Sequence, residues 1–390
     1  MKDKDSILLE SIYNGILLNE VKWDTHFSDA SKTCYSPEDV ANALNKEIER
    51  LKIPSTKRPS SPKNFPKISK GNIPLDEEGK IKIDHFRRQL TKMPKTIFDM
   101  GEKSLHTSDD NIKTVNTGIP ALRAVLWDED EEKFYVINTC PGAGSCPVNC
   151  YAMQGFYIMN DGKNIKLVNR LQLMMNHPDM YTRMAYKELE LFAFDANRED
   201  KQLKIRWNDA GDFFSETYFN IAIDITKALL DKGYNVESYA YTKIAKFYKM
   251  GEQAGMVMSF SEGAKESERT EVGDLQKVKM SIIVPTQVFE GFFEKKGPHI
   301  QKDDTGKSKF KSPEHKQLLK EKIVDYYNTH SDPKYGYINK QLHVNNTFYT
   351  DELPRKLGGE GDYNCIVLPN GDSDRPAQRR DVRYTLLLEH

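Results

Sequence analysis

Three thiols fall within eleven residues, in the run Cys140-Pro-Gly-Ala-Gly-Ser-Cys146-Pro-Val-Asn-Cys150. Thiolates are soft ligands suited to iron–sulfur clusters and zinc. The glycines and prolines between them bend the backbone, so the three sulfurs can face one centre. Closed zinc sites take four protein ligands. Three thiolates leave one corner open, which suits a four-iron cluster whose unique iron meets a substrate or cofactor. Iron–sulfur ligation by Cys140, Cys146 and Cys150 is therefore the expectation. Zinc is the alternative, and a metal-free loop is the bland reading. Cys365 sits in the apolar run Cys365-Ile366-Val367-Leu368 and reads as a buried thiol, with fourth ligand as its other reading. An odd total of five cysteines argues against a disulfide framework.

A second set of polar residues closes a series of apolar runs. Arg206-Trp207 leads into Asn208-Asp209-Ala210-Gly211-Asp212; Tyr239-Ala240-Tyr241 leads into Thr242-Lys243; Ser259-Phe260-Ser261 leads into Glu262-Gly263. In parallel α/β folds chemistry gathers where strands end. Asp209 and Asp212 are the candidate acid–base or catalytic carboxylates. Gly211 lets the backbone come close to a ligand. Asn208, Gly211, Tyr241, Lys243, Ser259 and Ser261 are the candidate cofactor contacts. The bland reading is turn chemistry for Asp212 and a solvated helix-start lysine for Lys243.

These residues need a scaffold that repeats. Residues 121–126 and 134–138 read as short strands, the second running into Cys140. A helical region spans about 166–197 and is interrupted by Pro178. Then strands (203–207, 235–241, 256–260, 280–284) alternate with helices (215–230, 244–250), Ser215 standing as a cap. Alternation of this kind means a parallel sheet with helical cover. The expected fold is α/β: a parallel (β/α) full or partial barrel with an N-terminal helical extension. Residues 1–51 read as the helical segment, 52–110 as a basic Pro/Ser/Lys-rich linker and extended arm, and 111–390 as the α/β metal-cluster domain.

The balance of 57 Lys+Arg against 58 Asp+Glu does not announce a nucleic-acid partner. Local basic stretches, residues 50–70 and Arg375, Arg379, Arg380 and Arg383, keep nucleic acid or a host protein as expected partners. No stretch approaches the roughly 20 apolar residues of a membrane helix. The start, Met1 to Asp5, carries charges of both signs, so a cytoplasmic location is expected.

The cysteine run with Tyr151-Ala152, then Asn208-Asp209-Ala210-Gly211-Asp212-Phe213-Phe214-Ser215, then Tyr239-Ala240-Tyr241-Thr242-Lys243, resembles the phage gene product eighty-eight family. The likeness spans roughly residues 115–290 and implies a phage or mobile-element origin, hence the host cytoplasm. More distantly, the chain is similar to radical S-adenosylmethionine enzymes, which carry a three-cysteine loop after the first strand of a partial barrel. That likeness implies a four-iron cluster on the three cysteines and S-adenosylmethionine held by residues 208–212 and by Ser259 and Ser261. The implied function is modification of nucleic acid or peptide. Two other readings stand beside it. One is a zinc-stapled enzyme similar to base-exchanging transglycosylases, with Asp209 or Asp212 as nucleophile or base. The other is a non-catalytic metal-binding protein that engages a host factor or nucleic acid.

Overall fold

The computed structural model describes residues 27–52, 75–100, 111–146, 150, 152, 161–293, 295–296, 299–300, 309–330, 338, 340–353, 363–368 and 376–388. The expected helix over 6–13, most of the expected linker, and Arg375 lie outside these. The chain divides into two compact units, the boundary falling after Val236.

The first described element of the first unit is a short strand, β1 (Lys32–Tyr35), followed by helices α1 (Pro37–Lys52) and α2 (Ile83–Leu90). Ser36 precedes α1 and its hydroxyl accepts from Asp39 N at 3.1 Å. Pro37, which lacks a donor to waste, takes the first helical position. β2 (Asp99–Met100), β3 (Ile112–Asn116), β4 (Arg123–Asp128) and β5 (Lys133–Asn138) come next. β1, β5 and β4 form an antiparallel sheet. Val40, Leu44 and Ile48 of α1 and Phe86 and Leu90 of α2 bury against its Val125, Trp127, Phe134 and Val136. The N-terminal helix is thus part of this unit's core.

Helices α3 (Asp161–Asn176) and α4 (Pro178–Arg198) break where the sequence places Pro178, which opens the second of them. β6 (Gln202–Trp207) lies parallel to β3, and β3 antiparallel to β2. Helix α5 (Glu216–Asp231) follows. Its N-terminus is capped twice. Ser215 Oγ accepts from Tyr218 N at 3.1 Å, and Asp29 Oδ2 accepts from Glu216 N at 2.7 Å. Phe27 stacks on Phe214 at 5.9 Å, so residues 27–29 strap the start of α5.

One buried carboxylate in this unit gives a pH signature. Glu188 of α4 accepts from Ile97 N and Phe98 N, each at 2.8 Å. Burial pushes its pKa up to about 7, against those two donors and Arg170, which pull it down. The folded state therefore holds this proton more tightly than the unfolded chain does. The stability it confers is fully present below the unfolded value, 4.5, and is lost as pH rises through about 7. Urea denaturation across that window should show a slope of up to about 1.4 kcal/mol per pH unit from this group. Glu188→Gln, the neutral isostere, should flatten it. Equal slopes in wild type and variant would rule the assignment out.

The second unit carries β7 (Val236–Thr242), α6 (Ala245–Gln253), β8 (Val257–Ser261), α7 (Glu266–Val272), β9 (Met280–Val284), a small ribbon of β10 (Lys295–Lys296) and β11 (His299–Ile300), and α8 (Pro313–Thr329). β12 (Thr347–Tyr349), β13 (Tyr363–Val367) and β14 (Val382–Leu388) complete it. Its sheet is parallel throughout, in the order β7-β8-β9-β14-β13-β12. The mixed α/β class and the mostly parallel sheet match the expectation; the barrel does not. The last strand, β14, inserts between β9 and β13, and β12 ends the row, so the sheet stays open.

Candidate thiol site and its supporting loops

Three loops of the first unit are stitched together by backbone hydrogen bonds. After β3, Thr117 N donates to Arg206 O at 3.1 Å, Asp209 N to Thr117 O at 2.7 Å, and Ile119 N to Ala210 O at 3.1 Å. After β5, Thr139 N donates to Leu122 O at 3.0 Å, and Thr139 Oγ1 to Pro120 O at 2.5 Å. Asp212 N donates to Thr139 O at 2.9 Å. Residues 117–122, 139–140 and 208–212 therefore form one continuous support. It places the first cysteine one residue from the carbonyl that anchors Asp212.

Close approach explains two glycines here. A Cβ on Gly118 would lie 3.0 Å from Ala210 N, and one on Gly211 would lie 2.5 Å from Ile119 Cγ1. Gly211 also has φ +78°, where side chains are disfavoured. The space beside Gly211 is thus taken by Ile119 of the neighbouring loop.

Cys140 accepts a hydrogen bond at Sγ from Leu122 N, 3.3 Å away, and its own N–H is held by Asn138 Oδ1 at 3.0 Å. An N–H aimed at sulfur favours the thiolate and the metal-bound thiolate. Cys146 is half-buried and Cys150 buried, and none of the five cysteines is in a disulfide. A hydrogen bond with Cys146 is the first cause that pushes the Cys150 thiol up, followed by burial and by negative charge at Cys146 and Cys140. The three sulfurs thus sense one another. Among the described residues no three His, Cys, Asp or Glu side chains are gathered tightly enough to hold a metal ion.

The polar residues after β6 have distinct settings. Asp209 pairs with Arg206 Nη1 at 3.1 Å. Asp212 is buried, and its Oδ1 accepts from Phe213 N at 2.8 Å. Asn208 is buried with φ +61° and accepts at Oδ1 from the Tyr218 hydroxyl at 2.8 Å. Burial first, and the charge of Asp212 among the lesser causes, hold the Tyr218 phenol well above its ordinary value. Thr117, Thr139 and Tyr218 were not singled out from the sequence. Their only local signal is a hydroxyl at a strand end or in the first turn of a helix.

The remaining expected contacts belong to the second unit. Tyr241 of β7 pairs with Ser259 of β8, and Ser261 with Ser281 of β9. Ser259 is buried and its hydroxyl has no hydrogen-bond partner among the described residues. Lys243 lies half-buried in the turn between β7 and α6. Cys365 is fully buried on β13, 3.9 Å from Thr350 Oγ1. The arginines near the end are engaged with the protein. Arg379 grips Asp381 through Nε and Nη2, at 2.9 and 2.7 Å, and Arg380 pairs with Glu237 at 3.0 Å.

The gene product 88 family model matches residues 91–329, more than half of the chain and the whole of the stitched loops. The chain belongs to the gene product 88 family, a family of phage proteins. The match runs through the cysteine run, the Asn208–Ser215 loop and the Tyr239–Lys243 strand end on which the resemblance was drawn. No curated protein and no solved structure matches the chain. No described helix of this family member is long and apolar enough to cross a membrane.

Proposed function

We propose that this phage protein is a metal-thiolate enzyme, with Cys140, Cys146 and Cys150 holding an iron–sulfur cluster and residues 208–212 forming the adjacent substrate wall. The observation that carries the reading is the run of three cysteines within eleven residues, held by a loop stitched to the 117–122 and 208–212 segments. The donor set fits: three soft ligands, one already given an N–H by Leu122. Gathering them around a metal requires the loop to tighten from the arrangement described. When bound, a four-iron cluster would supply electron transfer. The protein's own residues would hold and orient the substrate, with Asp209, ion-paired to Arg206, and the buried Asp212 as the acid–base candidates.

The target, nucleic acid or peptide, and the setting, the host cytoplasm, belong to the same proposal. So does S-adenosylmethionine as the co-substrate, although the open sheet removes the barrel argument for it. Purification without oxygen, with iron, sulfide and zinc measured and the visible spectrum recorded, is the test. Stoichiometric iron and sulfide with broad visible absorption is the expected result. Colourless protein with stoichiometric zinc would replace the cluster by zinc, and neither metal would end both readings. Reductive cleavage of S-adenosylmethionine by the iron-loaded protein then decides the co-substrate.

A further inference from the structure

The residue that donates to the Cys140 sulfur sits in a backbone conformation that its side chain does not favour. Leu122 has φ +67°, and across it Arg123 N donates to Ala121 O at 2.9 Å. A three-residue hydrogen-bonded turn with positive φ at its centre is the rare, strained form of the γ-turn. A bulky residue holds it only where its surroundings impose it. Here Thr139 N donates to Leu122 O at 3.0 Å, and Thr139 Oγ1 to Pro120 O at 2.5 Å. Thr139, which makes both contacts, is fully buried.

An ordinary ladder bond was open to the same N–H. β4 and β5 pair Arg123 with Asn138, so the next pair along is Leu122 with Thr139. The bond from Thr139 N to Leu122 O belongs to that ladder, and its return bond would run from Leu122 N to Thr139 O. The ladder stops there instead. Thr139 O accepts from Asp212 N at 2.9 Å, and Leu122 N is turned to Cys140 Sγ at 3.3 Å. A strained turn thus replaces a ladder bond with a bond to sulfur, on one of three clustered thiols. We infer that Leu122 is a positioning residue of the thiol site, its γ-turn aiming the backbone N–H at the Cys140 sulfur and fixing that ligand for the metal. This deepens the proposed function and rests on it for the metal, though not for the contact. A donor of this kind orients a ligating sulfur and draws charge from it, and such outer partners carry about 10–100-fold in metal affinity.

Replacing the Leu122 amide by an ester, with leucic acid inserted at that position of the full chain, deletes the N–H and leaves the side chain in place. In oxygen-free competition with a chelator for Zn²⁺, the ester should bind about 10–100-fold more weakly than wild type, with the far-ultraviolet circular dichroism unchanged. Leu122→Gly keeps the N–H and accepts the positive φ, so its affinity should match wild type. An ester that binds as wild type does, or a glycine variant that loses as much as the ester, overturns the inference. Hydrogen exchange of the Leu122 amide in metal-free protein is a second readout, which needs neither the ester nor the metal. Exchange should run roughly tenfold faster in Cys140→Ala than in wild type, while Cys140→Ser, which keeps an acceptor, should stay near wild type. Exchange indifferent to Cys140→Ala, in a protein that binds metal, overturns this inference alone. Wild type that takes up neither zinc nor iron, yet shows the Cys140-dependent protection, would sink the metal reading and leave the positioning of Cys140 by Leu122 standing.

Discussion

Replacing Cys140 by serine should empty the proposed metal site without unfolding the first unit. Serine keeps the shape and still offers Leu122 N an acceptor, so the contact at 3.3 Å has a successor. What it removes is a soft thiolate. Apparent binding energies of thiolate-rich zinc sites run to about 10 kcal/mol or more. One ligand of three therefore stands for roughly 3 kcal/mol, over a hundredfold in affinity. For a cluster the loss is closer to all or none, because an iron left without a protein ligand is exposed to solvent and exchange. Metal per chain after gel filtration should fall from near one site to background, with the far-ultraviolet circular dichroism unchanged. Cys34→Ser, an exposed cysteine on β1, should keep its metal. Retention of metal by Cys140→Ser, or its loss from Cys34→Ser, would remove the site from this loop.

The elements that declare themselves locally were legible. Pro178 opens α4, Ser215 caps α5, and β9 falls on the residues where the apolar run predicted it. The sheet's order was not legible. Alternating strands and helices look the same in a barrel and in an open sheet. What separates them is the pairing of Tyr384 with Met280 and of Thr385 with Cys365, between segments far apart in the chain. No local pattern encodes such a pairing. β1 escaped notice for a related reason: Lys32–Tyr35 is short and mostly exposed, and it becomes a strand by pairing with β5.

The site divides in the same way. Cysteine density is a local signal and led to the thiol loop. The residues that hold the loop, Thr117 and Thr139, act through backbone contacts with partners remote in sequence. Threonine at a strand end has many meanings before those partners are known. The basic residues near the C-terminus suggested an external partner because charge is visible in a sequence and its consumption is not. Arg379 and Arg380 find Asp381 and Glu237 within the second unit.

Gly211 gives the largest expected loss of stability. The sequence suggested that Gly211 admits a ligand; the structure fills that space with Ile119. Gly211→Ala forces a side chain into a left-handed φ of +78°, a strain of about 1–2 kcal/mol. It also drives a Cβ to 2.5 Å from Ile119 Cγ1 and 3.1 Å from Ile119 O. The second of these is backbone, stitched to Ala210 by its own N–H, so the clash is relieved only by parting the two loops. Overpacking of that kind adds roughly 1–3 kcal/mol. Gly233→Ala is the matched control. Its φ is +83°, yet nothing lies within 4 Å of the new Cβ, so it carries the strain alone. Urea denaturation should therefore place Gly211→Ala about 2–5 kcal/mol below wild type and Gly233→Ala about 1–2 kcal/mol below. Because residues 117–122 also carry Leu122, which donates to Cys140, Gly211→Ala should weaken metal retention as well, and Gly233→Ala should not. Equal losses in the two variants would mean that the contact between the 117–122 and 208–212 loops does not support the thiol site.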